Sequence, residues 1–245
     1  MFNGFISVLY RDITIFRKKA RKLILSSSLS PFLFLIAFGW GLGKGLEVNG
    51  MPYISFLIPG LITMSSLNQS FGINGEINIS RFYFHTFDEY LIAPVSYSQI
   101  VLGEIFYGIF KGLISVVIVF VYTLIFGVKL KISVIFFLAI FVHTFLFAAL
   151  GVTMAMLVKD HASQQSLNNF VITPMIFLCG TFFPVDKLPK FFELLVSILP
   201  LTYSIKVMRA SLTGGDVNVL HLFIMLAFAF VFYYTALLTI KRIEG

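Results

Sequence analysis

The sequence has one cysteine, one tryptophan, four histidines and charged side chains at only 12% of its 245 positions. A single thiol, Cys179, excludes both an intrachain disulfide and a cysteine-built zinc site. The histidines stand at 85, 143, 161 and 221, at no zinc-like spacing. His85, Asp88 and Glu89 are close in sequence and read as a solvated turn rather than a ligand set. A nucleotide-binding loop is missing. The one Gly-Lys pair, Gly43-Lys44, runs on into Gly45 instead of Ser or Thr, and Phe38 stands where the first glycine belongs. No Ser/His/Asp arrangement can be drawn from the pattern. The expectation is a chain with no catalytic residues, no metal site and no cofactor of its own.

What is present is apolar. Hydrophobic residues fill 58% of the chain and Phe alone accounts for 30 positions. Soluble domains carry about 45–50% apolar and about 25% charged residues. Surface of this kind cannot be left in water, because monomers rarely tolerate large exposed apolar patches. The composition predicts an all-α integral membrane protein. A bilayer core needs about 20 apolar residues per helix. Six runs qualify, near 23–43, 52–75, 99–126, 132–158, 167–183 and 219–240. The chain 1–245 reads as a single transmembrane domain.

Three segments stand outside the spans. Residues 1–22 space Phe5, Val8, Leu9, Ile13 and Phe16 at near-helical intervals among basic residues, the pattern of an amphipathic interfacial helix. Residues 76–98 form a mixed polar connection. Residues 184–218 form the longest one, with two short helical patterns, the second ended by Gly214-Gly215.

The net charge of +7 does not point to nucleic acid, because the basic residues flank the apolar runs. They point to membrane lipid. Six of them, Arg11, Arg17, Lys18, Lys19, Arg21 and Lys22, precede the first run and predict a cytoplasmic N-terminus. Six crossings return Lys241 and Arg242 to the cytoplasm, with 76–98 inside and 184–218 outside. Lys44, Lys129, Lys131, Lys187, Lys190, Lys206 and Arg209 run against this bias.

Ionisable residues within membrane helices are functional candidates by default. Glu104 and Lys111 share a helix face two turns apart, too far to pair directly, and Glu76 at the end of the second run could meet either. The second half of that run is polar. Asn68 and Gln69 must face protein or water, lining a pathway or joining helices.

Two segments carry more than composition. One is His85-Thr86-Phe87-Asp88-Glu89-Tyr90-Leu91-Ile92-Ala93-Pro94-Val95-Ser96, leading to Leu102-Gly103-Glu104. The other is Gly180-Thr181-Phe182-Phe183-Pro184-Val185-Asp186-Lys187-Leu188-Pro189, continuing to Leu199-Pro200-Leu201-Thr202-Tyr203 and Arg209-Ala210. Both resemble motifs of the type-2 ABC exporter permeases, and both fall at the matching places among six spans. His85 departs from that pattern, standing where the family often has Gly.

The resemblance implies a half-transporter that pairs with a second copy and with two ABC ATPase subunits, which carry the ATP and Mg. It implies a short coupling helix near 86–94, with Thr86, Phe87, Asp88, Glu89, Tyr90, Leu91 and Pro94 meeting the ATPase. It also implies re-entrant external helices over 185–212. The dimer seam would involve the first, second and fifth spans and line an export route for a lipid, glycan or drug-like substrate through the cell (inner) membrane. Asn68, Gln69, Phe71, Phe177 and Phe182 are the pathway candidates. The rival reading is a secondary carrier or channel that needs no ATPase.

Overall fold

The computed structural model describes residues 3–158 and 160–241, and helix dominates it. Helix α1 is Asn3–Phe34, and it continues through a π-helical stretch, Leu35–Leu42. A hairpin follows, with β1 (Glu47–Val48) antiparallel to β2 (Met51–Pro52) and Glu47 opposite Pro52. Asn49 and Gly50 turn it with φ of 52° and 73°, the left-handed pair that such a tight turn requires. Next come α2 (Tyr53–Phe71), α3 (Ile73–Phe82), the short α4 (Asp88–Ile92) and the long α5 (Tyr97–Ile125). Ser96 and Gln99 close a capping box at the start of α5. Helix α6 is Val134–Leu157.

A helical run then extends from α7 (His161–Leu167) through a π turn to α8 (Thr173–Ile176), and through a second π turn to Thr181. Asp160 caps it by accepting from the Ser163 amide at 2.7 Å. Gly180, at φ 98°, breaks the run. Helices α9 (Lys190–Ser197) and α10 (Pro200–Thr213) meet at 88°, and α11 is Val219–Lys241. As the sequence predicts, α10 stops at Gly214, which takes the left-handed conformation at φ 78°.

Among the described residues, four helices are long and apolar enough to cross a membrane: 4–42, 97–125, 134–157 and 219–241. The bent α9–α10 pair makes five if it is one span. The expected second and fifth runs do not reach that measure. Helix α2 is diluted by Ser65, Ser66, Asn68, Gln69 and Ser70, and the helical run at 161–181 is interrupted by π turns. Helix α2 nonetheless occupies the middle of the bundle, packed against α5, α6 and α10 with most of its side chains buried. Ser65, Ser66 and Ser70 suit such a helix, because they turn to protein rather than lipid.

The first helix also differs from expectation. There is no boundary near residue 22, because the charged segment and the apolar run are one helix of 39 residues. At 1.5 Å per residue it is about 58 Å long, about twice the apolar thickness of a bilayer.

The packing is closest where side chains are absent. A Cβ at Gly60 would meet the Thr181 carbonyl oxygen at 2.5 Å, and one at Gly151 would meet the Phe71 carbonyl at 2.7 Å. Gly60→Ala must therefore move α2 away from the end of the 161–181 run. We expect a loss of about 1–3 kcal/mol, read as a lower thermal midpoint of the purified chain in detergent. An unchanged midpoint would show that this contact is looser than the geometry implies.

Candidate coupling segment and pathway

The 86–94 segment is a compact knot, not a free loop. His85 takes a left-handed φ of 51° at the position where the type-2 permeases often have glycine. Histidine is one of the few side chains that tolerates this conformation. The turn directs the chain into α4. Phe87 is buried and packs edge-to-face on Tyr90 at 5.7 Å. Asp88, Glu89 and Pro94 are exposed, Thr86 and Tyr90 are half-buried, and Leu91 lies within α4.

The segment is tied to α1. Arg11 donates from Nη1 to the Tyr90 hydroxyl at 2.5 Å and from Nη2 to Thr86 Oγ1 at 3.1 Å. Its guanidinium lies over the Tyr90 ring, 4.8 Å from the centroid. Ser80 on α3 shares a 2.7 Å hydrogen bond with Thr86. Burial pushes the Tyr90 phenol above its ordinary range, so the hydroxyl is the neutral acceptor this bond needs. Arg11 was noted in the sequence only as part of a basic cluster. No local pattern announces a partner 79 residues away.

The pathway candidates divide into two groups. Phe177 and Phe182 are stacked at 5.3 Å, and Phe182 also meets Phe34 and Phe38 of the first helix at 5.1 and 5.0 Å. Phe182 is buried, whereas Phe177 is 42% exposed. The Tyr53 hydroxyl donates to the Phe182 carbonyl at 2.7 Å, which fixes this group at the first turn of α2. Asn68, Gln69 and Phe71 lie at the last turn of the same helix, about 22 Å along its axis. Asn68 is exposed, Gln69 half-buried and Phe71 in the core. The structure brings together the members of each group but not the two groups.

The intramembrane polar residues are mostly paired. Lys111 donates to Glu76 Oε1 at 2.5 Å, and the Tyr107 hydroxyl donates to Glu76 Oε2 at 2.8 Å. Of the two pairings open to Glu76, the structure takes the one with Lys111. Three buried amides join α3 to α7. Gln164 donates to Asn74 at 2.6 Å, and Asn78 donates to Gln164 at 2.7 Å. Arg209 stacks on Phe56 at 3.7 Å and donates to the carbonyls of Gly180 at 2.7 Å and Phe56 at 3.3 Å, holding α10 to α2 and to the break after α8.

Long apolar helices around a buried polar one, with a short helix tethered at one end, define a multi-pass membrane protein. Comparison with known proteins narrows the class. The model of the ABC-2 type transporter family matches residues 4–213. Nodulation protein J of Rhizobium meliloti strain 1021 is 30% identical over 248 residues, covering 98% of this chain and 93% of the relative. Nodulation protein J of Sinorhizobium fredii NGR234 is 28% identical over 245 residues, with the same coverage. The inner membrane transport permease YadH of Escherichia coli K12 is 27% identical over 228 residues, covering 87% and 85%. The chain belongs to the ABC-2 type transporter family and is a transmembrane component of an ABC transporter.

Proposed function

We propose that this chain is the permease half of an ATP-driven exporter. It works as a homodimer with two separate ATPase subunits, which bind the ATP and Mg, and moves a lipid, glycan or drug-like substrate outward by alternating access. Six crossings place both termini in the cytoplasm of a cell whose inner membrane holds the protein. The second and fifth crossings are α2 and the 161–181 run. Arg242, part of the C-terminal basic pair, lies outside the described residues. The observation that carries the reading is the tether between Arg11 and the α4 segment. A partner that moves α4 moves α1 with it.

The exposed acids of α4 supply the docking face, and α1 and the 161–181 run supply the seam. Leu25, Leu29 and Leu33 on α1, with Phe170 and Val171 on that run, are apolar and uncovered. The Phe177–Phe182 group lies at one end of the proposed route and Asn68 with Gln69 at the other. The short α9 and α10 dip back from the outer side.

Affinity purification from native membranes in mild detergent is the direct test. The expected co-purifying partner is a stoichiometric soluble subunit with a phosphate-binding loop. A chain that purifies alone and transports without ATP would overturn the reading in favour of a secondary carrier. Reversal of the acids, Asp88→Lys with Glu89→Lys, should lower ATPase stimulation and export about tenfold or more. Both residues are exposed, so the fold should persist; the lost His85–Asp88 contact at 3.6 Å and the reversed charge in the first turn of α4 should lower the thermal midpoint only slightly.

A further inference from the structure

A cavity of about 410 Å³ opens between α1, α3 and α5 beside the Arg11 tether. That is within the usual range for small-molecule sites, about 300–1,000 Å³. Its mouth is apolar and exposed, formed by Ile15, Ile79 and Phe84. Its floor carries two buried acids, Asp12 at 9% and Glu104 at 5% exposure.

Two of the three acids around this floor, Asp12 and Glu104, are incompletely paired. Glu76 is matched by Lys111 at 2.5 Å. Asp12 Oδ1 is 3.8 Å from Arg11, whose other bonds go to Tyr90 and Thr86. Asp12 Oδ2 is buried and has no hydrogen-bond partner among the described residues. Glu104 forms no salt bridge among the described residues, and Arg11 is the cation that acts on it from farther off. A buried carboxylate is costly unless it is paired and hydrogen-bonded. Asp12 Oδ2 lacks a donor and Glu104 lacks an ion-pair partner, so the floor has a place for a positive charge and for N–H donors. No group of three His, Cys, Asp or Glu among the described residues is placed to hold a metal ion. A quaternary ammonium brings the charge but no N–H. A primary ammonium brings the charge and three donors.

We propose that this cavity binds a primary ammonium group carried on an apolar chain. The ammonium sits on Glu104, beside Asp12, and the chain leaves past Ile15, Ile79 and Phe84. The ligand is an aminolipid of the surrounding membrane or a free amphiphilic amine. In an aminophospholipid the phosphate would face the exposed Lys19 at the rim. The inference is independent of what the transporter exports.

The test uses the full chain in phosphatidylcholine nanodiscs, titrated with dodecylamine and separately with dodecyltrimethylammonium, with the thermal midpoint as readout. Dodecylamine should raise the midpoint saturably and the trimethyl analogue should not. Glu104→Gln and Asp12→Asn, isosteric and uncharged, should each weaken the dodecylamine response by about tenfold or more. Should either variant fail to fold, the contrast between the two amines in the unaltered protein still decides. Nanodiscs containing phosphatidylethanolamine identify the source. A midpoint already raised, with no further effect of dodecylamine, assigns the site to the lipid. An unchanged dodecylamine response assigns it to a free amine. Equal responses to both amines, a response in Glu104→Gln equal to the parent, or no saturable response overturns the proposal.

Discussion

Replacing Glu76 with leucine should cost about 3–5 kcal/mol of stability. The Lys111 side chain is 7% exposed and Glu76 is its ion-pair partner, so the substitution strands a buried ammonium. The converse change should be milder. Lys111→Met leaves a carboxylate that is 42% exposed and still accepts from the Tyr107 hydroxyl at 2.8 Å, so water and Tyr107 absorb much of the loss. The double variant should recover most of what Glu76→Leu loses, because it removes both charges together. Thermal midpoints of the four proteins in one detergent make the cycle. Equal losses for the two single variants would show that the pair is solvated in the membrane and that its burial is not what governs the energy.

The second large effect is on transport. Arg11→Ala should reduce ATP-driven transport in proteoliposomes by about 10- to 30-fold while ATPase binding persists. Two hydrogen bonds from a charged donor are worth about 1.5–3 kcal/mol each when buried, and Arg11 is half-buried, so about 2 kcal/mol of linkage is lost. Every 1.4 kcal/mol is about a factor of ten. Arg11→Lys keeps the charge but cannot span Tyr90 and Thr86 with a planar fork, so it should restore only part of the rate. Transport at the parent rate in Arg11→Ala would remove the tether from the mechanism.

The sequence shows local features clearly and distant ones poorly. The end of α10 at Gly214 is written in the glycine itself. The long helices 97–125, 134–157 and 219–241 are written in their apolar length. The second and fifth runs were visible as apolar stretches, but not their form. Gly72 separates α2 from α3, and π turns interrupt the run before Gly180, through small changes of backbone winding with no strong composition signal. The apparent boundary at Lys22 was a change of polarity, not of backbone, and the helix runs through it. The Glu76–Lys111 pairing was within reach because the residue types and helix faces limited the choices. Asp12 was not. One acid in a basic segment looks solvated until α5 is known to cover it, and the covering residues lie about ninety positions away.

The unbroken first helix has a mechanical consequence. Arg11 and Phe38 are 27 residues apart on one helical rod, a separation of about 40 Å at 1.5 Å per residue. A lever of that length magnifies small rotations. A tilt of about 5° pivoted at the Arg11 end carries the Phe38 end sideways by about 3.5 Å, about one carbon–carbon contact distance. Phe38 stands 5.0 Å from Phe182, so such a swing is enough to part or close that stack. A nudge at one face of the membrane can thus be delivered to the opposite face by leverage alone, without any relay of side-chain rearrangements in between.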